Sequence, residues 1–309
     1  MFTSEEGAAL RRAGITAPIL MLGYVEPGHA QQVSVLGIDI PVMGLEHARA
    51  LALALGDRPL RVHLKLETGL HRFGLGIEEL RPLLDLLADH PNIEHVGTYS
   101  HFAAVEEAML DHAERQLAVF AQCLEHIPEP GVRHIAATAA TFVLPASRYD
   151  LARCGIGLYG LWPSSEIQAR VGGAVVLRPA LRWEERIRAV KDVEAGTPVG
   201  YGCAWVPRRP SRVALLDVGY ADGLPRSLSN VGVVEVRGHA CPIVGRICSN
   251  VTFVDVTLVP DARTDDSALL IGGSTERPTA LDRQAERAGM INYELAIRLP
   301  DVPTMQYLG

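Results

Sequence analysis

The sequence predicts an α/β fold: a (β/α)8 TIM-type barrel without its first two β/α units, followed by a mostly β C-terminal domain. Three observations predict it. Short apolar runs alternate with amphipathic segments from the start to about residue 175, the pattern of a parallel sheet with helical crossovers. Six such units can be read where a closed barrel uses eight, at about 31 residues each, so roughly 60 residues of a barrel are not represented. From Arg178 the rhythm changes to strand after strand, separated by glycine and proline turns. An open doubly wound sheet would also accommodate six strands, but no GxGxxG follows the first of them.

The strands of the first half are, in order, residues 17–23 (APILMLG), 38–44 (IDIPVMG), 61–67 (RVHLKLE), 95–102 (HVGTYSHF), 133–138 (RHIAAT) and 149–155 (YDLARCG). Each is a short β-branched or apolar run of strand length. Between them EHARALALAL, IEELRPLLDLLADH and MLDHAERQLAVFAQCLEHI carry apolar residues at helical spacing. The second half offers WEERIRAVKDV, SRVALLDVGY, GVVEVRGHACPIVGRICSN, VTFVDVTLV and SALLIGG as strands, then a short helix near AERAGMINYELAIRL. The expected domains are therefore residues 1–175, the incomplete barrel, and residues 176–309, the β domain.

With 48% hydrophobic residues, 309 residues can bury one large core or two moderate ones. A net charge of -7 gives no electrostatic reason to approach nucleic acid or anionic lipid. No secretory leader and no run of roughly 20 apolar residues is visible, so a soluble cytoplasmic protein without membrane contact is expected. Five cysteines (Cys123, Cys154, Cys203, Cys241 and Cys248) form an odd set without CxxC and read as reduced thiols.

The chain has two lysines, Lys65 and Lys191, so chemistry that needs an amine has few candidates. On a strand, His63, Lys65 and Glu67 share one face while Val62, Leu64 and Leu66 share the other. The polar set then faces the barrel lumen or its mouth, where charges must be paired or used. His101 at the end of TYSHFA, Thr138 at the end of HIAAT and Arg153 in DLARCGIGLYG repeat that placement, and catalytic groups of barrels gather at the carboxyl ends of strands. Singly, each has a plain structural explanation: a Lys65–Glu67 ion pair, a core histidine satisfied by a carbonyl, a surface arginine. Their convergence is what weighs toward a site. The glycines of CGIGLYG let backbone approach a phosphate at Gly155 and Ile156, with the Thr138 hydroxyl beside them, although a tight turn would use glycine equally well.

Together these residues resemble the alanine racemase family. The matching pieces are EEGAALRRAGITAPILMLG, HLKLETGLHRFGL, GTYSHFA, HIAATAAT, LARCGIGLYG, VGYGCAW, LLDVGYADGLPR, GRICSNVTFVDVT and INYELAIRLP, in that order and nearly end to end. The resemblance implies a barrel and a β domain, pyridoxal phosphate as cofactor, and an amino-acid substrate. It implies interconversion of L-alanine and D-alanine, supplying D-alanine to peptidoglycan, in a homodimer whose active sites take residues from both chains. It implies no metal.

Residue roles follow from the same resemblance. Tyr201 would exchange the α-proton across the dimer interface. A tyrosine ordinarily ionises near pH 10, so it needs positive charge nearby, which His101 and Arg153 are expected to supply. Arg153 would also donate to the pyridine nitrogen of the cofactor; a guanidinium keeps its proton, which weakens the electron sink and favours proton exchange. Arg72 would reach the phenolic oxygen and the substrate carboxylate, Thr138, Gly155, Ile156 and Tyr293 the phosphate, and Ser249 the carboxylate through its backbone N–H. Lys65 matches a lysine that the family often carries as a carbamate to orient Arg72. The lysine that holds the cofactor covalently lies, in the family, in a segment resembling VKADAYGHG, which this sequence does not contain. Ser249 and Asn250 stand where the family has methionine and aspartate, and Ala137 where it has asparagine.

Two other readings stay open at this level. A catalytically inactive, truncated homologue or binding protein would use neither lysine, and the chain as written is then expected to give no racemisation. A carbamylated Lys65 with His63, His101 and His134 would suggest a metal hydrolase, but the HxH pair and terminal aspartate of such a site are not evident.

Overall fold

A computed structural model of the chain describes residues 1–107 and 110–299. They form two compact units: unit 1 takes in Met1–Gly155 and Trp162–Val175, unit 2 takes in Ile156–Leu161 and the chain from Val176 onward.

Unit 1 opens with α1 (Ser4–Arg12), started by a reciprocal cap in which Thr3 accepts the Glu6 N–H and the Glu6 carboxylate accepts the N–H groups of Phe2 and Thr3. There follow β1 (Ile19–Leu20), α2 (Ala30–Val35), β2 (Ile38–Val42), α3 (Leu45–Leu55), β3 (Leu60–Lys65), α4 (Ile77–Ala88), β4 (Ile93–Tyr99), α5 (Leu110–Glu125), β5 (Val132–His134), α6 (Thr138–Val143) and α7 (Ser165–Val171). The five strands make one parallel sheet in sequence order. Strands covered on both faces read as continuous buried runs, and all five residues of β2, Asp39 included, are buried. Helices supply the cover through stripes such as Leu80, Leu83 and Leu87 of α4.

The sixth expected strand, residues 149–155, does not form. Tyr149 sits at φ 43, outside the extended region, and Asp150 turns to pair with Arg133. The segment's backbone meets the sheet side at two points, the Asp150 N–H on the Arg133 carbonyl at 3.1 Å and a single parallel bridge from Arg153 to Ala137 in which the Arg153 N–H meets the Ala136 carbonyl at 3.0 Å.

Unit 2 contains β6 (Trp183–Val193), β7 (Ser211–Leu216), β8 (Val233–Val236), β9 (His239–Pro242), β10 (Thr252–Asp255) and β11 (Ser267–Ile271), an antiparallel sheet in the order β10-β7-β6-β11-β8-β9. Ile187, Leu216, Val234, Val254 and Leu270, each at most 1% exposed, form part of its aliphatic core. The expected single C-terminal helix is two, α8 (Leu281–Ala288) and α9 (Asn292–Arg298), because Gly289 adopts left-handed geometry (φ 69) and ends the first. Among the described residues no helix is long and apolar enough to cross a membrane.

Candidate active site

Strand register builds the site. Lys65 of β3 is the partner of Tyr99 of β4, and Tyr99 the partner of His134 of β5, so the three share one row at the carboxyl ends of their strands. Tyr99 and His134 stack with ring centroids 4.9 Å apart and 7° between planes. One row deeper, His63 faces Gly97. A Cβ at Gly97 would fall onto the His63 ring and close to the Val132 carbonyl, so the missing side chain is what lets the imidazole cross β4 and reach His134. Its Nδ1 lies 3.0 Å from His134 Nε2.

Arg153 is the hub. Its Nη1 lies 2.6 Å from His134 Nδ1 and 3.2 Å from the His134 carbonyl; its Nη2 donates to the carbonyls of Ser100 (2.7 Å) and Ile135 (3.2 Å) and lies 3.2 Å from His101 Nδ1. The guanidinium also sits over the Tyr99 ring, 5.2 Å from its centroid. Among the described residues its Nε–H has no acceptor. Burial lowers its pKa to about 10, which leaves it charged at neutral pH.

Lys65 is 4% exposed, its ammonium 5.4 Å from the Phe73 ring centroid and 5.9 Å from that of Tyr99. Burial first, then the charges of Arg72 and Arg153, lower its pKa to about 8. The alternative of a Lys65–Glu67 ion pair is not what the structure has. Glu67 lies past the end of β3, and its carboxylate accepts the backbone N–H groups of Gly69 and Leu70. Burial would raise its pKa, but those amides and that of His71 outweigh it and hold it down. The Tyr99 hydroxyl is buried and, among the described residues, has no hydrogen-bond partner, and burial pushes its pKa up.

His101 follows β4 by two residues, on a loop tied down by Gln116 of α5. That buried amide donates to the His101 carbonyl at 3.2 Å and accepts the Ala103 N–H at 2.8 Å. Burial, and then the charges of Arg153, Arg72 and Lys65, bring the His101 pKa down to about 4. His101 is therefore neutral near pH 7, unlike the positive charge expected of it. A cleft of about 250 Å³ is lined by Arg72, His101, Phe102 and Ala137 among others. Thr138 does not end a strand but begins α6, and its hydroxyl accepts the Gly155 N–H at 3.1 Å. The space in front of Gly155 is open.

Lys65, Arg72, His101, Thr138, Gly155 and Arg153 thus belong to unit 1. Ile156, Tyr201, Ser249 and Tyr293 belong to unit 2. Ile156 is buried in the core of that unit, and Tyr293 packs against the same core. Tyr201 begins a short turn after Gly200 (φ 73) and is 72% exposed. Ser249 is exposed, with its carbonyl accepting the Ala221 N–H.

Sequence reasoning passed over Tyr99 and Asp39. The signal for Asp39 was present, a carboxylate inside the buried run IDIPV. His63 and His134, which suggested metal ligation, direct ring nitrogens at each other and at Arg153. Among the described residues no group of three or more His, Cys, Asp or Glu is arranged to hold a metal ion.

Comparison with known proteins gives a consistent answer. The model of the alanine racemase N-terminal domain matches residues 1–163, and that of the C-terminal domain residues 180–307. Alanine racemase of Syntrophobacter fumaroxidans is 40% identical over 297 residues, covering 94% of this chain and 78% of its own length. The crystal structure of alanine racemase from E. faecalis superposes with a TM-score of 0.90 at 28% identity, over 97% of this chain and 80% of that one. The alanine racemase structure from Bartonella henselae, with covalently bound pyridoxal phosphate, has a TM-score of 0.85 at 27% identity, over 96% of this chain and 81% of that one.

Proposed function

The chain belongs to the alanine racemase family, and we propose on that premise that it interconverts L-alanine and D-alanine with pyridoxal phosphate held in unit 1. The observation that carries this reading is Arg153, a cation fixed through Nη1 and Nη2 whose Nε–H has no acceptor among the described residues. The donor set fits the cofactor: a ring nitrogen suits Arg153, and a phosphate suits the Thr138 and Gly155 pair with its open approach. The parallel sheet of unit 1 supports its assignment as part of a (β/α)8 barrel.

When bound, the cofactor supplies an electron sink that acidifies the α-proton of an amino acid. Arg153 keeps its own proton, and as the group that would hold the cofactor's ring nitrogen it would donate without protonating it, which would keep the electron sink weak and favour return of the proton. Arg72, which lines the cleft, binds the substrate carboxylate. Tyr201 holds or takes the α-proton on one face, and neutral His101 orients groups by hydrogen bonding. The exposure of Tyr201 and Ser249 supports a homodimer in which each chain completes its partner's site. A carbamate on Lys65 would bring negative charge beside Arg72.

The test is D-alanine formation from L-alanine with pyridoxal phosphate, with and without free methylamine. Methylamine stands in for the amine that the family draws from a segment not found in this sequence. Cofactor uptake is followed separately by equilibrium dialysis. Turnover should require the cofactor, rise with methylamine and fall about 10²–10³-fold in Arg153→Ala. Uptake without turnover in either condition would favour a binding protein instead; absence of both uptake and turnover would remove the proposal.

A further inference from the structure

We infer that Asp39, His63 and His134 form a buried relay that positions Arg153, which rests on the reading of Arg153 as the cation facing the cofactor. A neutral imidazole has one donor and one acceptor nitrogen, so its partners dictate its tautomer. The Arg153 guanidinium can only donate, and its Nη1 lies 2.6 Å from His134 Nδ1. That nitrogen is therefore bare, and the His134 proton sits on Nε2. His134 Nε2 lies 3.0 Å from His63 Nδ1, which must accept, so the His63 proton sits on its own Nε2. This second N–H faces Asp39 Oδ2 at 3.6 Å, and Arg61 holds the same carboxylate from the other side with Nε 3.1 Å from Oδ1 and Nη2 3.3 Å from Oδ2. Every proton in the series points from Arg153 toward Asp39.

Burial gives the relay its force. Asp39 and His63 are each 6% exposed and His134 is fully buried, so an unmatched nitrogen would cost free energy that water cannot return. A doubly protonated His63 is excluded while Arg153 is in place, because His134 would then face a donor on both sides. The Asp39 carboxylate, 3.6 Å from Nε2 and so beyond hydrogen-bond distance, favours the Nε2–H tautomer of His63 by its charge; His63 fixes that of His134, and His134 offers Arg153 the lone pair that holds Nη1. With Nη1 and Nη2 so held, Nε is the donor left for a ligand. Asp39 and His63 are positioning residues, acting on Arg153 through His134.

Imidazole nitrogen NMR of the full chain, labelled with ¹⁵N-histidine and free of cofactor, reads the tautomers directly. At pH 7 both His63 and His134 should carry the proton on Nε2. In Asp39→Asn the single remaining oxygen is claimed by Arg61, so the amide NH2 faces His63 and should drive both rings toward the Nδ1–H form, setting donor against donor at Arg153. Affinity for pyridoxal phosphate should then fall about tenfold, the worth of one hydrogen bond. Either ring found as Nδ1–H or doubly protonated in the unmodified chain overturns the relay, and this measurement decides even if the variant does not fold. Unchanged His134 signals in a folded Asp39→Asn also overturn it. Expected tautomers in a chain that takes up no cofactor would sink the proposed function and leave the relay standing.

Discussion

Unit 1 buries Asp39, His63, Lys65 and His134, whereas the buried polar side chains of unit 2 are, among the described residues, Ser211, Thr252, Thr279 and Gln284, all uncharged. Each of those four donates to a backbone carbonyl: those of Arg209, Val218, Gly272 and Leu270 respectively. In unit 2, then, polar burial serves to satisfy backbone. In unit 1, among the described residues, it leaves one buried donor over, the Tyr99 hydroxyl. Native interiors leave few such groups without a partner, so the surplus marks where a ligand is meant to enter. Histidine follows the same division. Of the 11 in the chain, His239 alone belongs to unit 2, and it is exposed.

The largest expected consequence of this contrast is in acid. Burial holds His95 and His101 near a pKa of about 4, and His134 lower still. The unfolded chain, with histidines near pH 6.5, takes up protons first as pH falls, so unit 1 loses stability from about pH 6.5 down toward pH 4. Amide hydrogen exchange across that range should show β3 to β5 opening ahead of β6 and β7. Simultaneous opening of both sheets, with no midpoint shift above pH 4, would erase the distinction. A cavity in the aliphatic core comes next: Ile187→Ala, at a fully buried position, should cost about 2–5 kcal/mol in urea unfolding, and a loss under 1 kcal/mol would mean that this core is looser than its burial indicates. The smallest effect carries the opposite sign. Lys65→Met removes an ammonium whose folded-state pKa of about 8 lies below its unfolded value, so at pH 7 it should raise stability by roughly 1–3 kcal/mol. The gain should shrink as pH rises through 8 and vanish above about 10.4, where the amine is neutral in both states. A loss of stability at pH 7 would show that Lys65 is better compensated than its surroundings suggest.

Much of unit 1 was legible from period and composition, because buried parallel strands leave unbroken apolar runs and their helices leave stripes. Residues 149–155 misled for a local reason: YDLARCG has strand composition, yet Tyr149 takes positive φ and Asp150 answers Arg133, a partner that no local pattern reveals. Lys65 and His101 were legible as polar residues near strand ends. Their protonation was not, since the charge environment of His101 comes from Arg153, 52 residues away in the chain. The alternation that put Glu67 on the face of Lys65 held only as far as the strand did, and β3 ends at Lys65. The tautomers of His63 and His134 lay beyond sequence reading altogether, because they depend on register across β2 to β5.

Leaving Gly97 bare gives the sheet a transverse conduit one hydrogen atom wide. Through it, an acidic group on β2 is coupled to a ring on β5 without any rearrangement of main chain between them. A methyl group at this one point would sever the crossing, so the least conspicuous residue of the strand carries the tightest steric constraint on it.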